Sequence, residues 1–167
     1  MKININRGMY LETVINKTIE YYELHSIAIF RKQFVPIKIK TVNENEVVGR
    51  LADKCDVDYY GIFQGHFIAI EAKQTKEDYF DLNNILDHQI EFLTKINLLS
   101  GWSFIIIYFQ KTSNFYLIDF NLLHESKIKN NSKKRVYEKW FEINCEKLIL
   151  IFPGRLNIIE AIKKLKI

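Results

Sequence analysis

A largely apolar stripe recurs at three- and four-residue steps between Gly8 and His25, through Tyr10, Leu11, Val14, Ile15, Thr18, Ile19 and Tyr22. That spacing predicts an amphipathic helix. Ser26 to Ile39 reads as extended chain, broken at Pro36, because proline cannot donate to a strand ladder. Thr41 to Lys54 is polar and weakly patterned, and reads as an excursion from the core. From Val57 the pattern tightens. Val57-Asp-Tyr-Tyr-Gly-Ile-Phe-Gln-Gly-His-Phe-Ile-Ala-Ile-Glu-Ala-Lys73 predicts two strands around a turn at Gln64-Gly65. Gln74 to Asp81 is polar and predicts a loop. Leu82 to Leu99 carries a second helical stripe through Leu82, Leu86, Leu93 and Ile96, with Gly101 as its stop. Trp102 to Phe109 and Phe115 to Ile118 read as strands around the polar turn Lys111-Thr-Ser-Asn114. Lys127 to Arg135 reads as a basic loop, and Asn157 to Leu165 as a short closing helix. Helix, strands, helix, strands, helix implies an α/β fold, a mixed β-sheet flanked by helices.

Size and composition narrow the class. A chain of 167 residues is expected to form one domain, 1–167, with the excursion at about 41–56 as an insertion. Hydrophobic residues make up 48%, which suits a buried core rather than a disordered chain. The net charge of +4 is a weak pointer to an anionic partner. Cys55 and Cys145 make neither a CxxC pair nor a zinc pattern, so free thiols in a reducing, cytoplasmic setting are expected. The N-terminal stretch mixes Lys, Asn, Arg and Glu without an apolar run, so no signal peptide is expected. The longest apolar stretch, Phe104 to Phe109, is far short of the ~20 residues that a membrane helix requires.

The chemistry concentrates on the hairpin. If Gln64 and Gly65 are the whole turn, Phe63 faces His66, and counting back sets Asp58 opposite Glu71. Side chains alternate along a strand, so Glu71 and Lys73 share a face. Opposed carboxylates repel, and a hard divalent cation with oxygen ligands removes that conflict. Charged residues on the solvent face of a hairpin are common. Here, however, Glu71 follows the apolar run Phe67-Ile-Ala-Ile70, where an unpaired charge is costly. Gln89 falls on the inward stripe of the second helix, between Leu86 and Leu93, and its amide oxygen is a candidate metal ligand. Glu12, on the opening helix, is a candidate second acid. Arg7 is placed to hold a phosphate. Lys38, Lys40, Arg50, Lys54, Lys76 and the stretch from Lys127 to Arg135 are each ordinary solvated cations taken singly. Around an acidic metal site they suit a nucleic-acid backbone. The four histidines show no ligand spacing.

The acid, strand, Glu-x-Lys arrangement resembles the PD-(D/E)xK nuclease superfamily. Within it the chain is most similar to RecU-type Holliday junction resolvases. Asn6-Arg-Gly-Met-Tyr-Leu-Glu12, Asp58-Tyr-Tyr-Gly61, Ile70-Glu-Ala-Lys-Gln-Thr-Lys76 and Asp87-His-Gln-Ile90 carry the likeness. The resemblance implies a restriction-endonuclease-like core with a projecting stalk in the place of 41–56. It implies a homodimer and a Mg²⁺ cofactor, with Mn²⁺ as a substitute. Its metal ligands fall on Asp58, Glu71 and Gln89, and its transition-state lysine on Lys73. Arg7 inherits a role in handling the junction. The family's further threonine ligand falls on Val57, whose side chain cannot coordinate and which offers only its backbone carbonyl. The implied activity is paired cleavage of a four-way DNA junction in recombination and repair, with recombinase or branch-migration proteins as further partners. The alternatives are another nuclease of the superfamily, and a junction-binding protein whose cleavage is weak or lost.

Overall fold

A computed structural model of the chain describes residues 9–44, 46–51, 55–129 and 134–167. The opening stripe forms α1 (Met9–Leu24), followed by β1 (Ile29–Lys32). β2 (Ile37–Asn43) and β3 (Glu46–Leu51) pair with each other. The hairpin is β4 (Tyr59–Phe63) and β5 (His66–Thr75), followed by β6 (Tyr79–Asp81) and α2 (Asp87–Leu98). β7 (Trp102–Phe109), β8 (Asn114–Asp119), α3 (Phe120–Lys129), β9 (Arg135–Tyr137) and α4 (Glu138–Asn144) come next. The chain closes with β10 (Glu146–Leu148), β11 (Leu150–Ile151), β12 (Arg155–Leu156) and α5 (Ile158–Lys166).

The main sheet has the order β1-β4-β5-β7-β8-β10. Only β5 and β7 run parallel. The connection between them crosses over through α2, as a parallel pair requires. The sheet is therefore mixed and flanked by helices, the expected architecture. Two apolar cores lie on its two faces. On one, Leu11, Val14 and Ile15 of α1 and Ile158 and Ile162 of α5 pack against Tyr59, Ile68, Ile70, Phe104 and Ile106. On the other, Leu93 of α2, Leu123 of α3 and Phe141 of α4 pack against Ala69, Ile105 and Ile107. Central strand β7 feeds both cores, so from Phe104 to Phe109 its residues are apolar in unbroken series rather than alternating.

β2 and β3 stand apart from this sheet as a two-stranded ribbon whose described residues are exposed. The ribbon begins at Ile37, directly after Pro36, inside the stretch read as one extended segment. Other boundaries also differ from the sequence reading. β5 continues to Thr75 because β7 offers a partner as far as Phe109. Tyr79–Asp81, expected to be loop, pairs with Arg135–Tyr137. α2 starts at Asp87 rather than Leu82. The chain before it makes a short 3₁₀ turn, Leu82–Asn84, in which the Asp81 carboxylate accepts from Asn83 N–H at 2.9 Å. No helix among the described residues is long and apolar enough to cross a membrane.

Candidate active site

The turn that sets the site is the two-residue one. Gln64 has φ 49° and Gly65 φ 81°. Two successive positive φ values match the twist of adjacent strands and allow the shortest hairpin connection. The register follows: Phe63 pairs with His66, and Tyr59 with Ile70. One step further, Asp58 meets Glu71. The Asp58 backbone carbonyl accepts from Gln33 N–H at 2.7 Å. Its side-chain Oδ2 accepts from Ala72 N–H at 2.9 Å, which holds the carboxylate across the hairpin.

Glu71 is 1% exposed. Its Oε1 takes both available donors, Lys73 Nζ at 2.7 Å and Gln89 Nε2 at 2.6 Å. Its Oε2 is buried and no donor reaches it. Burial pushes the Glu71 carboxyl up to about 7, and the neighbouring Asp58 charge adds to the rise; Lys73 works against it. Such a group holds a proton at mildly acidic pH unless positive charge is brought to it.

Gln89 comes from the first turn of α2. Its Oε1 accepts from Leu86 N–H at 3.0 Å. A backbone N–H only donates, so the oxygen faces Leu86 and the nitrogen faces Glu71. The amide thus ties the start of α2 to the buried acid, with its oxygen engaged at the helix terminus.

The other candidates separate. Val57 is 1% exposed and belongs to the core cluster that holds Ala69, Phe80 and Leu82, so only its backbone carbonyl oxygen remains as a metal ligand. Glu12 pairs with Lys32 at 2.7 Å. Its charge, after burial, is the next influence that raises the Tyr59 hydroxyl, which donates to Asn16 Oδ1 at 3.1 Å. Among the described residues no three His, Cys, Asp or Glu side chains form a group able to hold a metal, so Glu12 does not join Asp58 and Glu71 in one. Arg50 is exposed on β3 opposite Lys38, and Lys76 is exposed just past β5. Arg7 and Lys54 lie outside the described residues. Sequence reasoning missed Cys55. Desolvation raises its thiol first, and then the carboxylates of Asp58, Asp56 and Glu71, which sets it at the margin of the site. No spacing in the sequence signals this.

The geometry is thus two close carboxylates, a lysine on the deeper one, and a helix-borne amide behind it. The family profile of recombination protein U, RecU, matches residues 6–164. This chain belongs to that family. It is 37% identical over 164 residues to the Holliday junction resolvase RecU of Ureaplasma parvum serovar 3, covering 98% of this chain and 96% of the relative. It is 37% identical over 163 residues to that of Mycoplasmopsis pulmonis, covering 98% of each. The solved structure of a Holliday junction resolvase from Archaeoglobus fulgidus is similar with a TM-score of 0.49 and 13% identity, over 82% of this chain and 88% of that one. In this RecU-family chain, Asp58 at the mouth of β4, Glu71 and Lys73 on β5, and Gln89 on α2 come from three separate stretches of sequence and converge on one buried carboxyl group.

Proposed function

We propose that this chain is a cytoplasmic, Mg²⁺-dependent endonuclease that resolves four-way DNA junctions as a homodimer, with Mn²⁺ able to replace Mg²⁺. One observation carries the metal-dependent reading: Glu71 Oε2 is buried without a donor next to Asp58, while Oε1 is fully engaged. An orphaned buried carboxylate oxygen is costly in a protein made only of these atoms. It fits a hard cation that favours oxygen ligands, and a pair of carboxylates is the usual protein share of a Mg²⁺ site. Asp58 and Glu71 would hold the ion, together with the Val57 carbonyl. Gln89 acts as a ligand only if its oxygen leaves Leu86. Such an ion supplies Lewis-acid polarisation of a phosphodiester and a more acidic water.

The residues of the chain do the rest. Asp58 is oriented by the Ala72 N–H, and Glu71 by Gln89. Lys73 is 18% exposed at its side chain, close enough to solvent to meet a phosphate while paired to Glu71. There its ammonium orients the attacking water or neutralises charge that grows on the phosphorus oxygens. Arg50 with Lys38, and Lys76, would bind the backbone of the arms. A two-fold dimer would present two such sites and give paired nicks.

The test is a labelled four-way junction and a linear duplex of equal length, each with Mg²⁺, Mn²⁺ or chelator. The expected result is metal-dependent symmetric nicking of the junction, abolished by Asp58→Ala and Lys73→Ala in folded protein. Retained cleavage in either variant refutes the assignment. Equal cleavage of linear duplex refutes junction selectivity. The buried Val57 side chain favours one other reading, a junction-binding protein with weak or lost cleavage. It predicts tight junction binding and no product with either metal.

A further inference from the structure

Pro153-Gly154-Arg155 takes no part in the site above, yet it walls a cleft of about 350 Å³ against the outer flank of α1. Lys17, Glu20 and Tyr21 form the facing wall. The Arg155 guanidinium lies 3.8 Å from the centre of the Tyr21 ring. The Tyr21 ring in turn lies 4.0 Å from that of His25, whose Nδ1 is 2.8 Å from the Tyr21 carbonyl. Gly154 has φ +115°, and a Cβ there would come within 3.9 Å of Lys17 Nζ. Lysine and arginine therefore meet at one loop. A guanidinium laid on an aromatic face is held flat, with its N–H edge free for two parallel bonds to an oxyanion. Among the described residues neither Arg155 nor Lys17 has an acidic partner at ion-pair distance, and no acceptor satisfies Arg155. Glu20 lines the cleft without pairing with either cation.

The position matters as much as the chemistry. Asn16, next to Lys17 in sequence, accepts from the Tyr59 hydroxyl, and Tyr59 follows Asp58. The cleft therefore borders the same helix that contacts β4, on a face about a quarter-turn round from Asn16. Glu71 and Lys73 face α2, on the other side of the sheet from α1, so only a duplex long enough to leave the hairpin and pass over α1 would bring a further phosphate to the cleft.

We propose that Lys17 and Arg155, with Arg155 braced on Tyr21, form a phosphodiester-binding site outside the catalytic hairpin, holding the backbone of a DNA arm. This rests on the reading of the chain as a DNA nuclease. A polyanionic duplex is favoured over an acidic protein segment because the exposed cations Lys38, Arg50 and Lys76 offer further phosphate contacts on the same molecule.

The experiment measures binding of a fluorescent four-way junction and a linear duplex to the full chain, in chelator, across a salt series. Variants are Lys17→Gln, Arg155→Gln, Arg155→Lys and the double glutamine. Each phosphate contact contributes about 0.9 to the slope of log K against log salt. Each glutamine variant is expected to flatten the slope by about one and the double by about two, equally for junction and duplex. Arg155→Lys is expected to recover most of the slope, and Mg²⁺-dependent cleavage at saturating DNA is expected to match wild type. Melting curves within a few degrees of wild type establish that the variants fold, and Lys17→Gln, on an exposed helix face, is the variant least exposed to that objection. An unchanged slope in the folded double variant overturns the site. Loss of poly-glutamate binding with an unchanged DNA slope also overturns it, in favour of an acidic protein segment. A wild type that binds neither DNA sinks the nuclease reading along with the inference, whereas normal wild-type binding and cleavage with unaltered variants sinks the inference alone.

Discussion

Replacing Glu71 with glutamine removes the one carboxyl, among the described residues, that burial has driven far above its ordinary range. In the folded, metal-free chain that group titrates at about 7, against 4.5 when solvated. Between those values the native state keeps a proton that the unfolded chain has released. Stability therefore falls as pH rises from about 4.5 to about 7 and levels off above. At 1.36 kcal/mol per unit the full cost is about 3 kcal/mol above neutrality. Glutamine does not titrate, so Glu71→Gln lacks this fall. The variant gains less than the whole amount at pH 8, because Lys73 loses its carboxylate partner at 2.7 Å. Urea midpoints in chelator at pH 5.5 and 8 measure it: the wild-type midpoint should drop by much more than the variant's. Adding Mg²⁺ at pH 8 should raise the wild-type midpoint, since a ligand that binds only the native state stabilises it, and should leave the variant unmoved. Equal pH dependence in both proteins would refute the claim that the buried Glu71 charge is the source of the strain.

Three further outcomes follow from other contacts. Gln89→Leu leaves Leu86 N–H and Glu71 without their partner, and should cost about 1–3 kcal/mol in denaturant melts; Gln89→Glu, which keeps the acceptor for Leu86, should recover part of this at pH 5.5, and equal losses in both would exclude the capping role. Glu138, 8% exposed, accepts on one oxygen from Thr112, Asn114 and Tyr116; Glu138→Leu should cost about 3 kcal/mol while Mg²⁺ affinity, read by calorimetry, stays at the wild-type value. Gly65→Ala meets no atom within 4 Å, so only the left-handed backbone opposes it; a loss of about 1 kcal/mol is expected, and an unchanged melting midpoint would show that the turn relaxes freely.

Much of the site was legible because a hairpin is local. Gln64-Gly65 dictates a two-residue turn, the turn dictates the register, and the register sets Asp58 against Glu71, all within residues 57–73. The stripe of α1 and the apolar strand β7 were legible for the same reason: period alone reveals which face is buried. The ribbon of β2 and β3, and the strands β6 and β9, were not. β6 is a strand only because Arg135–Tyr137, more than fifty residues later, supplies its partner. α3 and α4 have stripes too short to be read from period, and α3 runs to Lys129, into the stretch expected to be a basic loop; Leu123 and Phe141 pack both helices on the second face of the sheet.

By itself, then, the sequence determined which residues could meet through local geometry: two acids and a lysine at the base of a tight turn. Only the tertiary fold decided their chemical state. α2 is carried across the sheet to lay Gln89 on Glu71, which leaves one carboxylate oxygen paired twice and the other not at all. Glu12 is drawn away to Lys32, and Val57 is turned into the core. Burial and the direction of a hydrogen bond depend on atoms far apart in the chain, and no spacing along it encodes them.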